Sequence, residues 1–406
     1  MIALWWMGAL DAQAGKTTKI EQALAAYEGG DASAWEDASE RHGKVSEKFA
    51  EQPPTDPVRQ SLAVLAGRMY LARASREPAE AAGALEQALT SLEQAAAMPL
   101  DAALRAQAEV TTTQLASTLV AALTNQVEGK AWDEAAVTVA QCVRATALAD
   151  TLGQRDDART AAWRKLATRV AVQAGDVVAA REHYGSLHEL TGTWDGALGV
   201  KVARKLAEIT SPTDATTFLW PILEAMPTDE ALLRAWVELS LAAKDPDAGT
   251  ARLDGVYAQL VTSKSGALLL GELYDSLGRR DQARAAYEAL LAQEPSNIQA
   301  NEALARFWLA SARTTRSTLD DESAARRPSK ETKQLQATVQ ADLLHADERA
   351  TAALAANPDD RALHALLLEI LVDRQAALPK GDKGAKALEE RVAGARAKLA
   401  ALPEGP

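Results

Sequence analysis

The spacing of Gly271, Tyr274, Gly278, Ala283, Tyr287 and Pro295 constrains this chain more than any other feature. Gly278 can close a tight turn between two helices, small Ala283 admits the facing helix, and Tyr287 fills the groove between them. Pro295 then stops the second helix. A helix pair of about 34 residues cannot bury its apolar face alone, so it must stack on neighbours. The pattern recurs at Gly175, Ala180 and Tyr184, again five and nine residues from the glycine. Pro227 lies 68 residues before Pro295, two such periods. Trp236 and Val237 anticipate Leu270 and Gly271 by one period, and Ala305 and Trp308 continue it. The best-ordered stretch is therefore about 229–310.

Helical periodicity runs through the rest of the 406 residues. Asp56 before Pro57 reads as an N-cap and first-turn pair, followed by a stripe of Val58, Leu62, Leu65 and Met69. Pro78 is expected to open a helix that buries Leu85, Leu89 and Leu92. Asp101 starts a longer one with Leu104, Ala108, Leu115, Leu119 and Leu123. Ser296 with Gln299 reads as a capping box for the helix after Pro295. Ala and Leu dominate the 47% apolar content, and no alternating β-branched run asks for a sheet. The expectation is an all-α solenoid of stacked antiparallel helix hairpins.

Residues 311–335 break the phase, being rich in Ser, Thr and charge with Pro328 inside, and read as a polar insertion or loop. The chain accordingly divides into 1–14, degenerate hairpins over 15–128, repeats over 129–310, the insertion, and a C-terminal hairpin with a capping helix over 336–406. Within the first segment, Ile2 to Leu10 is a short apolar run before Ala12-Gln13-Ala14, the pattern of a secretory signal without its basic residues. That predicts a periplasmic or secreted protein, with a folded N-terminal cap in a cytoplasmic protein as the alternative. The run is too short to span a bilayer, and no later segment is apolar for long enough.

The net charge of −12 disfavours a nucleic-acid partner, which needs a basic face. Chemistry is harder to find. Lone Cys142 lies on an apolar helix and reads as an inert core thiol. His183 and His188 are five residues apart and diverge around their helix, and no ligand spacing points to a metal or a cofactor. Gly15-Lys16-Thr17-Thr18 lacks the first glycine and the strand of a phosphate-binding loop. Trp35, Trp132, Trp163, Trp220, Trp236 and Trp308 sit on helical stripes where packing is the default role.

The residues around Gly271 and Gly175 resemble the tetratricopeptide repeat superfamily, closely over 229–310 and in part over 130–190. The resemblance implies a right-handed α-solenoid whose concave groove, lined by the first helix of each repeat, holds protein or peptide partners. It places Arg234, Glu238 and Leu241 in the groove from one repeat, Leu268, Glu272 and Asp275 from the next, and Gln299, Glu302, Arg306 and Leu309 from the third. One subtype of the family grips chaperone C-termini with Lys, Asn and Arg. Here those positions carry Ala231, Ala235, Ser265, Leu269 and Ala303, so that clamp is missing. The leading expectation is a non-enzymatic scaffold of the cell envelope. A cytoplasmic regulatory solenoid and an all-helical enzyme are the alternatives.

Overall fold

The computed structural model describes residues 2–325, 330–379 and 382–403, and among these every regular element is an α-helix. The chain divides after Ile209 into two compact units. Unit 1 holds α1 (Ile2–Gly29), α2 (Ala34–Phe49), α3 (Pro57–Arg76), α4 (Ala81–Ala96), α5 (Ala102–Glu128), α6 (Trp132–Leu152), α7 (Asp157–Ala174), α8 (Val177–Thr191) and α9 (Gly196–Ile209). Unit 2 holds α10 (Pro212–Ala225), α11 (Glu230–Ala242), α12 (Pro246–Leu260), α13 (Lys264–Ser276), α14 (Arg280–Gln293), α15 (Ile298–Ala325), α16 (Lys330–Ala356), α17 (Arg361–Ala377) and α18 (Ala385–Ala401).

Helices adjacent in sequence pair as hairpins, and the hairpins stack through their first helices. In unit 1 α3 lies between α1 and α5, and α7 between α5 and α9. One apolar cluster runs through the stack from Val64 on α3 to Val170 on α7, with Leu89, Leu92, Leu115, Leu119 and Leu123 fully buried. Each such leucine contributes about 1.5–3 kcal/mol, which a single hairpin could not collect. On the second-helix side, Arg144 of α6 pairs with both Glu86 and Glu93 of α4. In unit 2 α13 packs on α11, and α17 on α15.

The local signals act as their chemistry dictates. Asp56 accepts hydrogen bonds from the backbone N–H groups of Val58 and Arg59, with Pro57 in the first turn. Asp101 caps α5 through Leu104. Two expectations need correction. Pro78 does not open α4; it lies in the turn before it, closed by the bond from Glu80 N–H to the Glu77 carbonyl. The cap of α15 is Asn297, whose side-chain oxygen accepts from Ala300 N–H, in place of Ser296.

Several of the inter-helix turns are built alike. Gly278 sits at φ 70° and Gly175 at φ 76°, and the next residue donates back to the helix, Arg279 to Tyr274 and Asp176 to Ala171. This left-handed closure is what glycine supplies without steric cost. Lys244, 34 residues before Gly278, adopts φ 59° in the same turn, with Asp245 donating to Ser240. A β-carbon is strained there. Lys244→Gly is expected to stabilise the chain by about 0.5–1 kcal/mol, read as a raised denaturation midpoint. A lowered midpoint would contradict the turn assignment.

The expected polar insertion or loop over 311–335 is helical instead, apart from residues 326–329, which lie outside the described residues. Helix α15 continues to Ala325, α16 begins at Lys330, and the two pair along their length. The reason is that a two-helix seam needs only a narrow apolar stripe, here Ala312 against Val339 and Leu343. The hydroxyls are absorbed locally: Thr314 donates to the Ala310 carbonyl, Thr318 to Thr314, and Ser311 to the buried Asp342. At the other end, α1 is one continuous helix through the Ala12–Gly15 region, so Gly15 to Thr18 form helix and no phosphate-cradling loop. The side chains of the first fourteen residues lie outside the described ones.

Candidate functional site

The side chains the sequence singles out converge most closely where α13, α14 and α15 meet. Leu268, Glu272 and Asp275 from α13 and Gln299, Glu302 and Arg306 from α15 line one cleft of about 340 Å³. Arg234 reaches its edge from α11: it pairs with Glu272 at 2.6 Å across the helices and with Glu230 at 2.9 Å along its own. Arg306 is likewise occupied by Glu302 at 2.8 Å. These exposed pairs contribute little stability, about 0–1 kcal/mol each, but they neutralise both arginines.

Three expected groove residues lie elsewhere. Glu238 and Leu241 are exposed on α11 and do not line the cleft. Leu309 is a correction, since it is only 5% exposed and packs with Ala305, Leu343 and Ala346 in the seam. The long helix α16 covers that face of α15 and turns an expected groove position into core.

The sequence reading also missed a wall. The second helix α14 contributes Arg280, Ala283, Arg284 and Tyr287, and α15 adds Ala303, Phe307 and Ala310. Arg284 lies over the rings of Phe307 and Trp308, 5.8 and 5.5 Å from their centroids, which fixes its guanidinium at the rim. Burial, then the nearby Asp275 and Glu272, raises the pKa of the Tyr287 hydroxyl far above its usual range, so the ring enters the cleft as a neutral group. Among the described residues no ion pair engages Asp275 of α13 or Arg280 of α14, both exposed at the cleft. The spacing Arg280-x-x-x-Arg284 beside small Ala283 was the available signal: it puts both arginines on the face that small residue opens.

Other expectations about single residues are met unevenly. Cys142 is buried and burial pushes its thiol up to about 12, which keeps it inert. His183 and His188 part company: one is buried edge-on to Trp163, the other stacks on Trp194 at 3.6 Å. Trp163 and Trp236 are core, whereas Trp220 is 41% exposed and lies against Trp236 and Arg252. Among the described residues no cluster of His, Cys, Asp or Glu could hold a metal ion. Among them also, no helix is long and apolar enough to cross a membrane.

Stacked hairpins with a cleft on the first-helix side define a helical-repeat solenoid protein. The family model of the tetratricopeptide repeat matches residues 264–307, so the chain carries a tetratricopeptide repeat in the segment that builds the cleft. No curated protein matches it in sequence. Among solved structures, the MamA protein is similar at 18% identity and a TM-score of 0.29, covering 48% of this chain and 93% of its own. A tetratricopeptide repeat protein from Parabacteroides merdae is similar at 13% identity and 0.32, covering 63% and 98%. The P58(IPK) TPR domain is similar at 12% identity and 0.27, covering 98% and 97%. Scores this low transfer no property of those proteins to this chain.

Proposed function

We propose that this chain is a non-enzymatic scaffold that holds a polar segment of a partner protein in the α13–α14–α15 cleft. The observation that carries the reading is the pairing state of the charges. Arg234, Arg306, Glu272 and Glu302 are mutually satisfied, while Asp275 on one helix and Arg280 on the other stay exposed beside an apolar floor of Ala283, Ala303 and Phe307. A segment with one basic and one acidic group flanking a small apolar side chain meets all three surfaces. A polyanion meets Asp275, Glu272 and Glu302 and is repelled, which supports a protein partner over nucleic acid.

The test is in-cell photocrosslinking from positions 268 and 299, both on the cleft. A discrete protein adduct is expected, and the double variant Asp275→Lys/Arg280→Glu should abolish it without lowering the denaturation midpoint, because neither side chain is buried. Absence of an adduct from both positions sinks the reading. Export to the periplasm or envelope is proposed separately, supported by the apolar run and small residues over 2–14. Sequencing the mature N-terminus decides it: Gly15 as first residue supports export, and retained Met1 supports the cytoplasmic alternative.

A further inference from the structure

On the second-helix side of unit 1, the spaces between neighbouring hairpins are not closed alike. Arg144 bridges α6 to α4 by pairing with Glu86 and Glu93. Between α2 and α4 no ion pair forms among the described residues, and a cleft of about 600 Å³ opens there over α3. That volume lies within the range of small-molecule sites. Its walls are tied in place. Buried Gln60 donates to the backbone carbonyls of Pro54 and Pro99, which links the loops that follow α2 and α4. His42 of α2 donates through Nε2 to the Leu62 carbonyl of α3 at 3.0 Å, since a carbonyl can only accept.

The lining is apolar over most of its length: Leu62, Ala66 and Tyr70 on α3, Phe49 on α2, and Met98 after α4. No carboxylate lines it, in a chain with 56 acidic residues and a net charge of −12. Its one permanent charge is Arg59, half-buried in the first turn of α3. Nη1 of Arg59 donates to the Gln52 backbone carbonyl, and no ion pair among the described residues engages the guanidinium. Asp56, the nearest carboxylate in sequence, is spent on the backbone N–H groups of Val58 and Arg59.

A cation without a counter-charge at one end of an apolar channel complements an anion with an apolar body. Length narrows the class. Arg59 and Tyr70 mark the ends of the floor, and at about 1.5 Å per residue they lie about 16 Å apart along α3. A saturated chain with bonds of about 1.5 Å at tetrahedral angles advances about 1.25 Å per carbon, so about ten to twelve carbons reach about 12–15 Å.

We infer that the cleft between α2 and α4 is a binding site for a free medium-chain alkyl carboxylate. Its head group pairs with Arg59, and its chain lies over Leu62 and Ala66 toward the Tyr70 ring. The site faces away from the first-helix groove and depends on no partner of the α13–α14–α15 cleft.

The experiment is isothermal titration calorimetry of decanoate, below its micellar concentration, into the full chain. One site per chain is expected. Decanol has the same chain without the charge and should bind about tenfold less tightly. Hexanoate should also lose at least tenfold, because each buried methylene contributes about fourfold. Arg59→Gln should weaken decanoate about tenfold and leave decanol unchanged, and Arg59→Lys should recover most of the loss. Ala97→Trp, at an exposed position on the α4 wall, should block both ligands. This second variant keeps the test decisive if Arg59→Gln is misfolded. Equal affinity for decanoate and decanol, several equivalents bound per chain, or binding that ignores Ala97→Trp overturns the site. Capture on phosphatidylglycerol vesicles that is lost in Arg59→Gln, with no binding of free decanoate, would assign Arg59 to a membrane surface and overturn it as well.

Discussion

Asp347→Ala is expected to destabilise the C-terminal hairpin by about 2–4 kcal/mol. Asp347 lies on α16, is 4% exposed, and is the meeting point of three helices. Arg391 of α18 grips it with two bonds of 2.6 and 2.7 Å, and Arg374 of α17 pairs with the same carboxylate. Removing the anion leaves two guanidiniums facing each other where a partner had offset their desolvation. Both arginines keep partial access to water, which holds the cost below that of a fully buried orphan. The apolar contribution of α18 is small: Leu388, Val392 and Ala395 against Leu371. The helix therefore depends on this charge cluster to stay docked. Hydrogen exchange should show α18 opening first, with denaturant unfolding of unit 2 shifted to lower midpoint. Asp359→Ala, which removes only the exposed pair with Lys398, is the control and should change stability by less than about 0.5 kcal/mol. Equal effects of the two substitutions would show that the cluster is no anchor.

Gly271→Ala is expected to cost about 1–3 kcal/mol, although alanine is the better helix former by about 1 kcal/mol. A β-carbon at 271 would lie 2.4 Å from Cε1 of Tyr287 and 2.7 Å from two further ring atoms. The ring is buried against α13 and cannot swing away without leaving its place in the seam. Helix α14 must therefore move or Tyr287 must rotate further into the cleft that Asp275 and Arg280 border. Two readouts follow. The denaturation midpoint should fall, and the adduct crosslinked from position 268 should weaken with it. Gly185→Ala is the control, because a β-carbon there meets nothing within 4 Å. A more stable Gly271→Ala variant would mean that α13 and α14 do not approach through this glycine.

The repeat was legible because its signals are local. Gly278 and Gly175 announce turns through backbone freedom, Ala283 and Ala180 announce close approach, and Asp56 and Asp101 announce helix starts. Each acts within one or two turns of helix, so spacing alone carries the information. The 311–335 segment misled for the same reason. Its Ser, Thr and charges look like loop composition, and only pairing along α16 makes Ala312 and Val339 a seam between the two helices.

The candidate site was half visible. Periodicity assigns a face to each of Leu268, Glu272, Asp275, Gln299, Glu302 and Arg306, and those six do share a cleft. It cannot say which neighbour covers a face, and so Leu309 was placed in the groove when α16 buries it. Nor can it say which charges find each other: Arg234 meets Glu272 from another hairpin, while among the described residues Asp275 and Arg280 form no ion pair. Spacing within a helix is a short-range property written in order along the chain. Coverage and charge pairing depend on which hairpins come to lie side by side, and they exist only once the stack has formed.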